Sequence, residues 1–177
     1  MSRRKRLIMM SVGAFCIAAF AACSVLPWSG GGKTADRRFE EFTESISQKP
    51  EIQTSVDLLV DRMPGLGAVE VHYAAAYRES GRELPDPDPQ YWLDAVIKVD
   101  EVTAPAFSRL ATGEPKLLPG IYPPLREFVP EDCSWTLVDE ELVDGELKTA
   151  KAADRFDITG AVYSANCRIL IIRGTGW

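Results

Sequence analysis

A chain of 177 residues with a formal net charge of −6, one histidine and 46% apolar residues is long enough for one domain that buries its own core without a metal. Arg3, Arg4, Lys5 and Arg6 precede every acid, and removing them takes the formal charge from −6 to −10 for residues 23–177. A body this acidic repels phosphate backbones and anionic headgroups, which argues against nucleic-acid binding and against adhesion to lipid through a basic face.

In chain order, MSRRKRLIMMSVGAFCIAAFAAC couples a basic start to an uncharged apolar stretch, Leu7 to Ala22, and ends on small residues before Cys23. That is the layout of a secretory signal peptide. The apolar stretch covers roughly 24 Å as a helix, short of the roughly 30 Å hydrocarbon core, so an uncleaved spanning anchor is the weaker alternative. Phe20-Ala21-Ala22-Cys23 resembles the lipobox of bacterial lipoproteins, in which a small residue precedes the cysteine that becomes the mature N-terminus. Phe20 stands where that family usually carries Leu or another aliphatic residue. The resemblance implies that residues 1–22 are removed, that Cys23 receives a diacylglycerol through its sulfur, and that the chain is held at the outer face of the cytoplasmic membrane. Two acyl chains give lasting anchorage where one is marginal. Ser2-Arg3-Arg4 followed by Leu7 also resembles part of a twin-arginine export signal, with Arg6 where that motif prefers a hydrophobic residue. In overall layout the chain resembles small lipoproteins of high-GC Gram-positive bacteria, which implies a location and no activity.

With that assignment the four cysteines reduce to a pair. Cys16 leaves with the signal and Cys23 takes the lipid, so Cys133 and Cys167 remain. An even remainder in an oxidising compartment predicts a disulfide, and closing a loop of about 35 residues adds roughly 3–4 kcal/mol in the chain-entropy model. The alternative is two buried thiols.

Residues 24–35, SVLPWSGGGKTA, read as a flexible tether that, with Cys23, forms segment 23–35 ahead of a single domain over 36–177. Asp36 is placed to cap a helix carrying Phe39, Phe42 and Ile46 on one face. Ile52, Val56, Leu59, Val60 and Met63 repeat as a second helix stopped by Pro64-Gly65. Residues 67–80 and 91–100 then alternate as two strands that pair antiparallel. The apolar face of the second is Tyr91, Leu93, Ala95, Ile97 and Val99. A short helix after Thr103 holds Phe107 and Leu110. The proline-punctuated stretch 114–132, with one helical turn at 124–128, is either functional or a packed cover. Residues 133–143, 155–163 and 167–174 read as strands, with turns at Asp144-Gly145 and at Ser164-Ala165-Asn166. The run Ile169–Ile172 predicts a central strand covered on both faces. Together these elements predict an α+β fold: an antiparallel sheet of about five strands with two or three amphipathic helices packed on one face.

Site chemistry is sparse. His72 lies on the polar face of a strand without the companions that a triad or zinc site needs. The cysteines form no C-x-x-C, and no nucleophile elbow, phosphate loop or dinucleotide fingerprint is present. Asp139, Glu140, Glu141, Asp144 and Glu146 crowd one predicted hairpin end, and Asp86 and Asp88 sit in a loop, without the spacing of a calcium site. No catalytic, cofactor-binding or metal-ligating residue is therefore assigned. Trp28, Trp92, Trp135 and Trp177, with Tyr91 and Tyr122, are candidates to line a ligand groove near the loop around Tyr122, core packing being the default for Trp92 and Trp135. The expected function is a non-enzymatic binding or assembly role at the cell envelope. Its partners are the membrane, through the lipid anchor, and an envelope protein or small-molecule ligand. Two alternatives have their own signatures. A small envelope enzyme with a carboxylate-based site would bring two acids together in an apolar cleft, and a regulatory module of a membrane protein complex would expose an apolar patch over residues 115–130.

Overall fold

The computed structural model describes residues 36–46, 49–78, 89–151 and 155–177. The signal region, Cys23, the tether with Trp28, and Asp86 and Asp88 lie outside them. One antiparallel sheet organises the described residues. Its strands are β1 Ala68–Tyr77, β2 Tyr91–Val99, β3 Ala111–Gly113, β4 Thr136–Val138, β5 Phe156–Ser164 and β6 Ile169–Gly176, in the spatial order β1-β2-β6-β5-β4-β3. The chain is thus α+β with an antiparallel sheet, of six strands where the pattern suggested about five. The run Ile169–Ile172 lies on β6, between β2 and β5, and all four side chains are buried, as a strand covered on both faces requires.

The two faces are covered differently. On one, α1 Val56–Val60, α2 Ala104–Arg109 and α3 Glu140–Leu147 bring Leu59, Phe107, Val143 and Leu147 onto Tyr73, Leu93, Ile97, Phe156 and Ile172. On the other, an extended strap from residue 36 and a cover spanning residues 118–129 bury Phe39, Leu118, Ile121, Tyr122 and Leu125 against Trp92, Val96, Val162 and Ile171. The cover's one regular turn is a 3-10 helix, Pro123–Phe128. Each large apolar side chain removed from water this way contributes about 1.5–3 kcal/mol.

Three segments depart from the sequence pattern, each for a local reason. Residues 36–46 are not helical. The Asp36 carboxylate accepts from the Arg38 amide at 3.0 Å and closes a tight turn. Phe39 then bridges Leu118 in parallel, with Leu118 N donating to Arg38 O at 2.7 Å and Glu40 N to Leu118 O at 2.9 Å. The spacing of Phe39 and Phe42 therefore marks two contacts along a strap, and Ile46 is exposed. The second helix shrinks to the five residues of α1 because Gln53 exchanges two backbone hydrogen bonds with Tyr73, at 2.8 and 3.0 Å, which takes Ile52 out of the helical run. The third departure is α3, where the pattern suggested the end of a strand and a hairpin turn. Asp139 caps it by accepting from Leu142 N at 3.0 Å, and Glu140 and Glu141 occupy the first turn, where the dipole favours acids. Val143 and Leu147, four residues apart, form its buried stripe. Asp144-Gly145 is consequently inside a helix.

Cys133 and Cys167 are joined, with their Cα atoms 5.7 Å apart, so the end of the cover is tied to the β5–β6 turn. Asn166 reinforces the same junction. Its Oδ1 accepts from Ser134 N at 2.9 Å and from Ser164 Oγ at 2.8 Å, and its Nδ2 donates to Asp132 O at 3.2 Å.

Candidate functional site

Two features of the sheet hold polar chemistry in apolar surroundings. The first lies beneath the strap. Asp94, between Trp92 and Val96 on β2, is 1% exposed. Its Oδ2 accepts from Tyr122 N at 2.7 Å, and its Oδ1 lies 3.4 Å from Nε of Arg173, its neighbour across the β2–β6 ladder. That second contact is an ion pair in charge but lacks hydrogen-bond alignment, and Arg173 Nε has no hydrogen bond among the described residues. Glu44 on the strap completes the group. It accepts from Arg78 Nη2 at 2.7 Å and Nε at 2.9 Å, and stands 3.5 Å from Arg173 Nη2. Burial pushes the Asp94 carboxyl up to about 7, against the pull of Arg173 and the Tyr122 amide, and Glu44 adds to the rise. Two acids do converge here, as a carboxylate enzyme would require. They converge on arginines, however, and Asp94 itself is buried, so it latches the cover to the sheet and is out of reach of a substrate.

The second feature is open. A cavity of about 320 Å³ at one end of β1 and β2 is lined by Arg62, Ala75, Tyr77, Pro89, Tyr91 and Trp177. The rows of the sheet explain it: Tyr77 opposes Tyr91, Tyr91 opposes Gly176 of β6, and Gly176 opposes Phe156 of β5. With no side chain at 176, the Tyr91 ring lies across β6 and reaches Phe156, ring centroids 6.3 Å apart. The Arg62 guanidinium stands 5.3 Å from the Tyr91 ring centre and its Nε donates to Tyr91 Oη at 3.2 Å, which fixes the floor of the cleft. Tyr77, 68% exposed, meets Tyr91 edge-on at 6.4 Å. On the other side Trp177 carries the Arg155 guanidinium 4.5 Å from its ring. Aromatic faces with phenol and guanidinium handles, in a cleft of this size, suit a ligand of a few ring or side-chain volumes. A Cβ at Gly176 would run into the Tyr91 ring. Gly176→Ala is therefore expected to cost about 1–3 kcal/mol in thermal or urea melts and to displace Tyr91 from the floor, read as a change in its ring proton shifts.

No protein-family model, curated protein or solved structure matches the chain. Functional assignment therefore rests on residues and geometry.

The remaining candidates are dispersed. Tyr122 is 2% exposed and packs on Phe42 and Trp92 at 5.7 Å from each, so the loop around it is core and not a ligand surface. Trp92 is likewise core, and Trp135 borders a separate groove of about 410 Å³ beside Cys133, whose walls carry charges of both signs. Trp177 and Tyr91 are the two aromatic candidates that share a cleft, and Tyr77 joins them there. His72 stacks on Phe128 of the cover at 3.8 Å, and its Nε2 lies 2.8 Å from Glu70 Oε1. The α3 acids are consumed locally: Asp139 caps the helix, and Asp144 accepts from Thr149 Oγ1 at 2.9 Å and from Ile158 N at 3.2 Å. Asp132 approaches Cys133 and Cys167, but both sulfurs are in the disulfide, which leaves a cation one carboxylate. Asp94 was missed because the alternation of β2 assigned it to solvent. Its signal was the sequence YWLDAVI, which is apolar on both faces apart from this one residue.

Proposed function

We propose that this chain is an exported lipoprotein, anchored through acylated Cys23 at the outer face of the cytoplasmic membrane, with a non-enzymatic binding or assembly role at the envelope. The observation that carries the reading is the Cys133–Cys167 bond. It accounts for both cysteines of the folded body, fits an oxidising compartment, and leaves Cys23 of the lipobox-like Phe20-Ala21-Ala22-Cys23 to the lipid. The Tyr77–Tyr91–Trp177 cleft supports the binding half, because it offers an open aromatic seat without nucleophile, paired carboxylates or metal-ligand set among its described lining residues. The enzyme alternative draws no support from Asp94, which is buried beneath the strap and the cover. A regulatory module with an apolar patch at 115–130 fits less well, since Leu118, Ile121, Tyr122, Leu125 and Val129 are buried and Leu117 is the one large apolar side chain of that stretch left exposed.

Expression of the full chain with its own leader, followed by membrane fractionation, tests the anchor. Wild type is expected in the membrane pellet, and Cys23→Ser is expected to shift at least tenfold toward the soluble or unprocessed pool, because the two acyl chains supply the retention. A Cys23→Ser protein that stays processed and membrane-bound would overturn the reading.

A further inference from the structure

β1 is the edge strand of the sheet on the side of the cleft. In an antiparallel pair, alternate residues direct both backbone groups toward one side. Tyr73 turns its N–H and C=O away from β2, because both are taken by Gln53, at 3.0 and 2.8 Å. Arg78 turns the other way and donates to Gln90 O beyond the start of β2, at 2.8 Å. Ala75 and Tyr77 belong to the outward row with Tyr73, and among the described residues their backbone groups have no partner on that side.

Among the described residues the edge is open there because the segment that covers it at Gln53 leaves. Running antiparallel from Gln53, the next residue to pair would be Glu51 with Ala75. Instead the segment turns toward the strap face, where the Pro50 carbonyl meets Tyr122 Oη at 3.5 Å. Gln53 thus occupies one rung of an added strand, and the two rungs beyond it have no partner among the described residues. Those two rungs border the aromatic cleft, whose lining includes Ala75 and Tyr77. Ala75 is exposed and small, between Tyr73 and Tyr77 on the same face of β1, which leaves a gap over it.

We infer that the edge at Ala75 and Tyr77 is a strand-addition site for an extended peptide segment of a partner protein, with a large apolar or aromatic side chain at the position opposite Ala75. Backbone pairing supplies the affinity in this mode of recognition, and the pocket for an alternate side chain supplies the selectivity. A residue paired with Ala75 projects its side chain to the same face as the Ala75 methyl group, over the gap and toward Tyr77 and Tyr91. This assignment deepens the binding role proposed for the cleft and rests on it.

The probe is a displayed library of random heptapeptides selected against the immobilised full chain in detergent, with the recovered peptides measured individually by titration. Ala75→Pro removes the outward N–H at an edge position, where proline is compatible with a strand. Tyr77→Ser leaves the backbone intact and removes one wall of the cleft. Both variants are first checked for wild-type melting behaviour, and amide exchange at Ala75 and Tyr77 of wild type carries the test if Ala75→Pro melts early. The expected result is peptides with a bulky residue flanked by alternating small or polar ones, weakened at least tenfold by each variant. The same peptides should slow hydrogen exchange at the Ala75 and Tyr77 amides and leave the already bonded Tyr73 amide unchanged. Peptides that bind Ala75→Pro as well as wild type, or that leave the Ala75 and Tyr77 amides unprotected, overturn the strand-addition site. If such peptides are still weakened by Tyr77→Ser, the cleft binds by another mode and the wider binding reading survives. A library that yields no binder overturns the partner-peptide assignment, as does a concentration-dependent dimer of wild type that Ala75→Pro abolishes, because the occupant is then a second copy of this chain.

Discussion

Asp94→Ala is expected to lower the free energy of unfolding at pH 4, where the buried carboxyl keeps its proton, by about 2–4 kcal/mol, and Asp94→Asn by less than half of that. The alanine leaves the buried Tyr122 amide without its acceptor, at a cost of about 1–3 kcal/mol, and leaves Arg173 with Glu44, 3.5 Å away, as its remaining carboxylate. Asparagine keeps an oxygen for the amide. The two variants also separate charge from hydrogen bonding through pH. The Asp94 carboxyl is raised from an ordinary 3.8 to about 7 in the folded protein. Between those values the folded state holds a proton that the unfolded chain has lost, so the contribution of this group to stability is complete below the lower value and falls as pH rises through the window. At about 1.36 kcal/mol per pKa unit, the full fall is on the order of 4 kcal/mol by the time Asp94 is ionised. Asp36, Glu70 and Asp100 are shifted the other way, Asp36 by Arg38, Glu70 by its bond to His72 and Asp100 by Thr103. The clean quantity is therefore the wild-type stability minus that of Asp94→Asn. In urea melts this difference is expected to decline from pH 5 to pH 8, and a flat difference would remove Asp94 as a buried titrating group.

Removal of the disulfide is expected to cost about 3–4 kcal/mol. Cys133 and Cys167 are 34 residues apart in sequence, and the closure entropy of a loop that long gives this magnitude when the folded state is otherwise unchanged. The double variant Cys133→Ser with Cys167→Ser is the appropriate comparison, since it leaves the Asn166 hydrogen bonds to Ser134, Ser164 and Asp132 in place. Urea melts of oxidised wild type and the double variant measure the difference directly. A loss below about 1 kcal/mol would mean that the Asn166 junction already holds the cover end without the bond. Because the cover packs on Trp92 and His72, the double variant should also accelerate exchange at the Tyr122 and Leu125 amides before global unfolding is reached.

The long strands were legible because their signals are local. The alternation of 68–77, the run Ile169–Ile172 and the pairing of β1 with β2 follow from side-chain period and short connection. The second layer was not, because its covering elements are not regular. Phe39 and Phe42 sit at helical spacing, yet the backbone partner of Phe39 is Leu118, nearly eighty residues away, and no local pattern encodes that bridge. The strand-to-helix error at residues 139–147 has a different origin. Leu142 and Val143 at the end of an apolar stretch suit either element, and Asp139 with Glu140 and Glu141 falls inside the strand pattern 133–143 although the same residues make a sound N-terminal cap. The cleft was half visible. Tyr91 and Trp177 were candidates from residue type, while the glycine at 176 that lets Tyr91 lie flat shows its purpose only when β6 is placed beside β2. Asp94 was hidden by treating β2 as half-buried, an inference that Trp92 and Val96 on the same face contradict.

The described residues contain no helix long and apolar enough to cross a membrane; the anchor proposed here is Cys23 and its lipid. Intact-mass measurement of the protein extracted from membranes tests that claim most directly. The proposal predicts a chain beginning at Cys23, heavier than the polypeptide 23–177 by a diacylglycerol group and lighter by 2 Da, on the order of one lost S–H pair, for the oxidised Cys133–Cys167 bond. An unmodified mature chain, or an N-terminus at any residue other than Cys23, would contradict it.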